Sequence, residues 1–229
     1  MKKNIIIIVS LIVIIGVLIG VLFFITTDDS NNLYTKDEIN FKDEYEKLNG
    51  YAVSEDYILK SIDIETDNNV KYVSDNEIID LMKNGTNIIY FGWADCNWCR
   101  TLIPVLLEVL KENKIDTLYY YDFKSLRNSY ENKDEEKSKI YEEIINIIGD
   151  DISTTFDENS ARSGEKKILA PTVVFIKNNN YVGLHFKTVD SQEKSTDDLN
   201  KEQIQELKNK LQEKIDLINN NVCTTDEGC

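Results

Sequence analysis

Apolar and polar positions alternate along the chain in blocks that predict short strands and amphipathic helices. Residues 87–92 and 117–123 are short, continuous apolar and aromatic runs, a pattern typical of buried central strands. Between them, apolar residues recur at helical spacing over 97–113, and a shorter strand-like segment lies at 71–73. These blocks predict strands that are joined by helices.

The second half of the chain continues this alternation with a hairpin and a final helix. Residues 172–176 and 181–186 flank the polar turn 177–180, which predicts an antiparallel pair of strands. A stripe of isoleucines and leucines over 204–218 predicts the last helix. The predicted order is therefore β, α, β, α, β, α, β, β, α, which defines an α/β protein.

Two of these helices have additional signals. Ser74 and Glu77 are spaced as a capping box, and Gly85 is placed to end the helix that follows. The long charged segment 125–167 predicts an enlarged helical insertion, because an unstructured loop of that length is uncommon inside a domain. Its apolar residues at helical spacing are Ile140, Ile144, Ile147 and Ile148.

The N-terminus has a different pattern. Residues 5–25 contain no charge, and ~20 apolar residues in a helix span a hydrocarbon core of about 30 Å. Lys2 and Lys3 precede the run and Asp28 and Asp29 follow it, an asymmetry that places the N-terminus in the cytoplasm. A cleaved signal peptide is the alternative, but the run exceeds the usual length of about 7–15 residues and no small-residue cleavage site follows. We therefore expect a single-pass anchor in the cell membrane, with an extracytoplasmic domain in which disulfides persist.

These patterns divide the chain into four parts. Residues 1–27 are a cytoplasmic stub and transmembrane anchor, and residues 28–70 are an acidic juxtamembrane extension. Its first part, residues 28 to about 49, is either a tether or a short helix against the domain. Residues 71–222 form the α/β domain, with its insertion at about 125–167, and residues 223–229 are a tail that contains cysteines.

Composition narrows the classes of function. The chain has 229 residues, of which 29% are charged and 41% hydrophobic, and this balance suits one good-sized folded domain. The net charge of −15 disfavours a nucleic-acid partner, because an acidic surface repels phosphates. His185 is the single histidine, so a His-rich metal site is excluded and His185 itself is expected to be a structural or surface residue.

The candidate chemistry lies in the motif Cys96-Asn97-Trp98-Cys99, which follows a predicted strand and opens a predicted helix. Residues i and i+3 share one face of a helix, so the two sulfurs can form or release a disulfide with little backbone motion. The unpaired amides and positive dipole of a helix N-terminus lower a cysteine pKa from ~8.5 toward about 3.5–7.5. The motif therefore predicts a redox-active dithiol in which Cys96 is the thiolate.

Three other roles for the motif are less well supported. A zinc site shared with Cys223 and Cys229 is disfavoured by their C-x₅-C spacing, and we assign no metal. A purely structural disulfide would gain little from closing so short a loop, and a degenerate site kept only for the fold is a third alternative. In the redox interpretation, Arg100 would favour the Cys96 thiolate and Asp95 would oppose it.

Cys223 and Cys229 have three alternative roles. In an exported protein they form a second candidate disulfide by pairing with each other across a short loop. They could instead exchange with Cys96 and Cys99, or remain as free or intermolecular thiols.

Around these residues the chain resembles the thioredoxin superfamily. The residues 90–100 carry the aromatic residues and the C-x-x-C motif of that family. Pro104 stands where the family has a helix-kinking proline, and Ala170-Pro171-Thr172 stands where it has a cis-proline that faces the cysteines. Within the superfamily the chain looks most like membrane-anchored, thioredoxin-like proteins of Gram-positive bacteria, including the bacteriocin transport accessory group.

The resemblance implies a thioredoxin-like fold, with a central mixed sheet flanked by helices, and gives roles to individual residues. Cys96 would be the attacking and more exposed thiol, and Cys99 would resolve the mixed disulfide. The redox-active disulfide Cys96–Cys99 is then the only redox group, and no cofactor is expected. The residues expected to bind substrate are Trp98, Ala170, Pro171 and Thr172.

The sequence does not decide the roles of two residues, Trp98 and Tyr90. Trp98 is either an exposed contact for substrates or a packing residue, whereas Trp93 and Phe91 are expected in the core. Tyr90 stands where thioredoxin has a buried aspartate that assists proton transfer at the second cysteine. This departure leaves proton handling unassigned.

The expected function is thiol–disulfide exchange on the thiols or disulfides of exported proteins. The direction of electron flow stays open, since oxidase or isomerase work suits an exported location and reductase work needs a membrane redox partner. The alternative is a non-enzymatic accessory module for a secretion or bacteriocin transport system, in which the motif is a stabilising clip.

Overall fold

A five-stranded mixed sheet forms the centre of the computed structural model, which describes residues 34–219. The described residues from Lys36 onward belong to one compact unit. In chain order the elements are α1 (Lys36–Glu46), β1 (Ala52–Ser54), β2 (Tyr57–Ile58), β3 (Val70–Tyr72), α2 (Ile78–Lys83), β4 (Asn87–Gly92), α3 (Asn97–Glu112), β5 (Leu118–Asp122), α4 (Lys124–Glu131), α5 (Glu135–Ile148), a 3₁₀ turn (Gly149–Asp151), β6 (Thr172–Lys177), β7 (Asn180–Phe186) and α6 (Lys201–Asn219).

The five strands of the sheet lie in the order β3-β5-β4-β6-β7. Strands β3, β5 and β4 are parallel, whereas β6 runs antiparallel to β4 and β7 antiparallel to β6. These are the five strands that the sequence predicts. The mixed sheet, flanked by helices, is consistent with the thioredoxin-like α/β fold that the resemblance implies.

The four predicted helices are confirmed as α2, α3, α5 and α6. At the start of α2, the Glu77 carboxylate accepts from the Ser74 amide at 3.0 Å and from the Ser74 hydroxyl at 2.6 Å. The glutamate therefore reaches back as the capping box predicts. The Ser74 hydroxyl, however, donates to this carboxylate, and its backbone carbonyl receives the first amides of the turn.

The insertion contains two helices, one more than predicted. In α4 the buried residues are Leu126 and Tyr130, a single i, i+4 pair that is too short a stripe to register as a helix in the sequence. Helix α5 begins at an Asp134 cap, which accepts from the amides of Glu136 and Lys137. The Tyr130 and Tyr141 rings stack at 4.2 Å between centroids and join the two helices.

Helix α1 lies in the segment for which the sequence leaves two alternatives, and the β1–β2 hairpin lies in a part of the extension for which the sequence predicts no element. Phe41 and Tyr45 on α1 are fully buried, and Phe41 meets the Tyr120 ring edge-on at 4.9 Å. Of the two alternatives for the acidic extension, a helix against the domain is therefore what residues 36–46 form.

Two predictions fall outside the described residues: the membrane anchor at 5–25, and the pairing of Cys223 with Cys229. Within residues 34–219, no helix is both long enough and apolar enough to cross a membrane.

Candidate active site

The two cysteines of the motif lie at the junction between the central strand and its following helix. Strand β4 ends at Gly92, and Cys96 is the N-cap of α3, where its sulfur accepts from the Cys99 amide at 3.3 Å. Both are free thiols, with Cys96 8% exposed and Cys99 fully buried. Cys96 is thus the more exposed of the two sulfurs.

The environments of the two sulfurs move their pKa values in opposite directions. A hydrogen bond from the Cys99 thiol lowers the pKa of Cys96, and the amides of Cys99 and Trp98 act in the same sense against burial and the charge of Asp95. Burial raises the pKa of Cys99 well above its usual value, and the neighbouring Cys96 raises it further. Cys96 is therefore the more acidic thiol of the pair. Cys99 stays protonated while Cys96 carries the negative charge.

The predicted substrate-binding segment 170–172, at the start of β6, contacts Cys96 through Ala170. The Ala170–Pro171 peptide bond is cis, and the Cys96 thiol donates to the Ala170 carbonyl at 3.8 Å. Thr172 is buried and its hydroxyl donates to the Leu169 carbonyl at 2.7 Å. The structure thus brings this segment and the motif together, as the resemblance implies, although Thr172 presents no hydroxyl to a substrate.

Trp98 is half-buried, so its two predicted roles are not exclusive. One part of the ring packs against the core, and the Lys187 ammonium lies 5.8 Å from the ring centroid. Trp93 and Phe91 are in the core, as expected.

Asn97 is a functional-site residue whose contacts the sequence does not predict. It is fully buried beneath the β1–β2 hairpin, and its side chain donates to the Ile58 carbonyl at 2.9 Å and accepts from the Lys60 amide at 2.8 Å. Its own amide donates to the Tyr57 hydroxyl at 3.1 Å. The N-terminal segment therefore covers the first turn of α3, and one residue of the motif's central dipeptide faces protein instead of solvent.

The expected electrostatic role of Arg100 at Cys96 is not what the structure shows. Arg100 is fully buried and donates to the carbonyls of Lys60 at 2.5 Å, Tyr45 at 2.9 Å and Ala94 at 3.0 Å, and to the Asn49 side chain. The guanidinium therefore anchors the N-terminal segment to α3. The opposing charge of Asp95 is present as expected, and this carboxylate is paired with Lys124.

His185 has a structural environment. It lies on β7 opposite Val173 and is buried, and its Nε2 has no hydrogen-bond partner among the described residues. Burial lowers its pKa to about 4, and the charges of Lys210 and Lys214 act in the same direction. Within residues 34–219, no cluster of three or more His, Cys, Asp or Glu side chains is placed to hold a metal ion.

Comparison with known proteins gives a limited result. No protein-family model matches the chain, and no curated protein sequence matches it significantly. Among solved structures, the chain is similar to thioredoxin O1 from Arabidopsis thaliana in its oxidized state, at 21% identity and a TM-score of 0.35. The match covers 64% of this chain and 97% of that one. The features of this chain that are consistent with a thioredoxin-like α/β fold are the strand order, the position of the motif and the cis-proline.

Proposed function

We propose that this protein is a thiol–disulfide oxidoreductase that acts on exported proteins from the outer face of a membrane. The observation that supports the proposal is the difference between the two cysteines of the motif. Cys96 caps α3 and has a lowered pKa, whereas Cys99 is buried one turn further along the helix and has a raised pKa. A thiolate is the nucleophile in disulfide exchange, so this asymmetry decides which sulfur attacks first.

The reaction follows from this asymmetry. The Cys96 thiolate attacks a substrate disulfide, a mixed disulfide forms, and the other substrate sulfur leaves as a thiolate that takes up a proton. Cys99 then loses its proton and attacks the Cys96 sulfur, which forms the Cys96–Cys99 disulfide and releases the second substrate thiol. The reverse sequence oxidises a substrate dithiol.

A surface for polypeptide substrates lies beside the motif. Tyr51, Val53 and Ile58 are each more than half exposed, and all three belong to the β1–β2 hairpin and its approach. The hairpin is hydrogen-bonded to Asn97, so these apolar groups are attached to the first turn of α3. Exposed apolar side chains at this position favour unfolded chains as substrates.

The location and redox partner are further parts of the proposal. The uncharged run at 5–25 supports a membrane anchor, and export would place the motif where substrate disulfides form. A membrane partner would then reset the Cys96–Cys99 pair after each turnover.

Trapping of mixed disulfides tests the function. We would replace Cys99 with Ser in the full chain in its native host, quench thiols with acid, and search non-reducing gels for adducts. Without the resolving thiol, covalent adducts should accumulate through Cys96 and disappear with dithiothreitol. The matched control is the Cys96→Ser, Cys99→Ser double variant, which should show none.

The opposite result favours the alternative function. If the Cys99→Ser protein is folded and abundant but forms no adducts, Cys96 is not a working nucleophile. The accessory-module function for a secretion or bacteriocin transport system then takes its place, and Cys96→Ser should leave that activity intact.

A further inference from the structure

The first helix of the insertion, α4, lies against the residues that precede Cys96. Lys124 and Arg127 are three residues apart on this helix, so their side chains share a face. Lys124 pairs with the Asp95 carboxylate, and the guanidinium carbon of Arg127 lies 4.5 Å from the centroid of the Trp93 ring. Both contacts are made with the segment that joins β4 to the motif. This face of α4 therefore borders the active site.

The sheet explains why the insertion begins at this place. Strand β5 runs parallel to β4, with Asp122 opposite Gly92, so the two strands end at the same edge of the sheet. The motif follows β4, and α4 begins two residues after the end of β5. In an open α/β sheet, ligands bind at the edge where the parallel strands end. Side chains on α4 are therefore placed to contact a substrate at Cys96.

The two cations on this face differ in their partners. Lys124 is paired with Asp95, whereas the Arg127 side chain makes no hydrogen bond or ion pair with any other described residue. Its Nε is buried without an acceptor. The other arginines of the chain, Arg100 and Arg162, each donate to backbone and side-chain acceptors. The donors of Arg127 are therefore left for a group that the described residues do not supply.

This arrangement is costly unless a ligand completes it. A guanidinium has five N–H donors, and a buried donor without an acceptor lowers the stability of the fold. The chain has 41 acidic residues, yet none of those in the described part pairs with Arg127. The Trp93 ring attracts the cation but offers no acceptor oxygen. An acceptor on the substrate would remove this cost.

A carboxylate is the ligand that suits these donors. Arginine binds carboxylates through two parallel hydrogen bonds, which are stronger than hydrogen bonds to a neutral carbonyl. Arg127 is half-buried, and among its unpartnered nitrogens only Nε is buried. Its two terminal nitrogens are therefore accessible from the solvent. In a polypeptide, the anionic acceptors are the carboxylates of aspartate, glutamate and the C-terminus.

We propose that Arg127 binds a carboxylate of the substrate polypeptide beside the disulfide that Cys96 attacks. The insertion would thereby select substrates with an acidic group near the reacting cysteine. The inference rests on the proposed function and deepens it, because it names a class of substrate. Arg127 takes no part in the exchange of sulfurs.

Small disulfides that differ in charge test this selection. The probe 3,3′-dithiodipropionate carries two carboxylates, whereas bis(2-hydroxyethyl) disulfide is neutral and of similar size. We would measure the second-order rate constant of each with the reduced full-length chain, in which Cys223 and Cys229 are replaced by Ser. Each rate constant is divided by that of the same disulfide with dithiothreitol. The ratio of the anionic to the neutral value is the charge selectivity.

Arg127→Gln should lower the charge selectivity about fivefold at pH 7 and low salt concentration, since a charge-assisted hydrogen bond to the probe is lost. A change in the pKa of Cys96 would alter both rate constants equally and leave the ratio unchanged. Arg127→Lys should recover part of the selectivity, because it keeps the charge without the planar fork.

Lys139→Gln is the matched control for net charge. Lys139 is an exposed residue of α5, so its replacement removes one positive charge from the same insertion. This variant should change the charge selectivity less than twofold.

An unchanged selectivity in folded Arg127→Gln would overturn the proposal, and so would an equal fall in Lys139→Gln. If Arg127→Gln does not fold, the wild type decides. A selectivity above one that falls with added salt supports the proposal, whereas the net charge of −15 alone would give a value below one. A wild-type protein that reacts with neither disulfide would instead refute the proposed exchange function itself.

Discussion

Cys96 and Cys99 show how two identical side chains, three residues apart, acquire different chemistry. Cys96 receives hydrogen bonds at a helix N-terminus, and these stabilise its charged form. Cys99 is one turn further along and fully buried, where the charged form is disfavoured. The opposite shifts of the two pKa values are therefore a consequence of position along α3.

The Cys99 thiol is the largest contributor to the lowered pKa of Cys96, and this can be tested with two substitutions. Cys99→Ala removes the hydrogen bond to the Cys96 sulfur, so the pKa of Cys96 should rise. Cys99→Ser retains a donor, so its shift should be smaller. The measurement is the pH dependence of Cys96 alkylation by iodoacetamide, with both tail cysteines replaced by Ser.

The direction of the expected change in alkylation rate follows from the reactivity of the Cys96 thiolate. Because only the thiolate reacts, the alkylation rate of the Cys99→Ala variant should be lower than that of wild type below the new pKa and converge with it above. A midpoint equal to that of the wild type in both variants would show that the backbone amides alone lower the pKa of Cys96.

At the residue scale, the sequence predicts the two cysteines but not the contacts of the residues around them. The i, i+3 spacing and the strand before it are local signals, and they place Cys96 and Cys99 correctly. Asn97 and Arg100 bind backbone groups near residues 45–60, which are distant in sequence and have no periodic pattern. No charge or spacing in the sequence points to such partners, because backbone carbonyls are present at every residue.

At the scale of elements, the N-terminal segment is part of the site. Arg100 joins α3 to the end of α1 and to Lys60, and Asn97 joins α3 to the hairpin. The elements that surround the motif are therefore held by polar contacts from two adjacent turns of one helix.

Replacement of Arg100 should loosen this junction. Arg100→Met would remove the side-chain donor from the Lys60 and Ala94 carbonyls and one of two donors from the Tyr45 carbonyl and the Asn49 side chain, at a cost of about 3–5 kcal/mol in the free energy of unfolding. Chemical denaturation measures the loss. Hydrogen exchange at the Leu59 and Lys60 amides should also become faster.

Arg100→Lys is the control for charge alone. It keeps the cation but has no planar fork to reach four acceptors, so it should recover only part of the stability. Unchanged exchange at Leu59 and Lys60 in the Met variant would mean that the hairpin is held without Arg100.

Strands and amphipathic helices were largely predictable because each has its own period of apolar residues. All five sheet strands and α2, α3, α5 and α6 follow from that pattern. The pattern leaves helix α1 open and does not predict α4, since each buries only a few side chains through single pairs such as Phe41 and Tyr45. Their stability comes from the aromatic residues they meet in the folded protein, which no local pattern records.

At the scale of the whole molecule, an aromatic cluster unites the N-terminal segment with the sheet. Phe41 and Tyr45 of α1 meet Tyr120 of β5 at centroid distances of 4.9 and 6.2 Å, and Tyr90 stacks on Tyr120 at 5.5 Å. The cluster spans a helix and two central strands. The segment before β3 is therefore part of the core.

A chain that begins at residue 70 should not fold independently. Loss of buried aromatic residues costs about 3–5 kcal/mol each, so loss of Phe41 and Tyr45 approaches the total stability of about 5–15 kcal/mol for a domain. A chain that begins at residue 34 should unfold cooperatively. Thermal melts followed by circular dichroism compare the two.

The contrary result would be a cooperative melt of the shorter chain, within a few degrees of the longer one. The N-terminal segment would then be an attachment on a domain that folds without it.

The partners of Arg100 have a consequence for the working conditions of the protein. Three of its acceptors are backbone carbonyls and the fourth is a side-chain amide. None of these groups gains or loses a proton at ordinary pH values. A carboxylate partner, by contrast, would be protonated at low pH, and an exposed ion pair would be weakened at high salt concentration. The junction between α3 and the N-terminal segment should therefore be insensitive to changes in pH and in salt concentration.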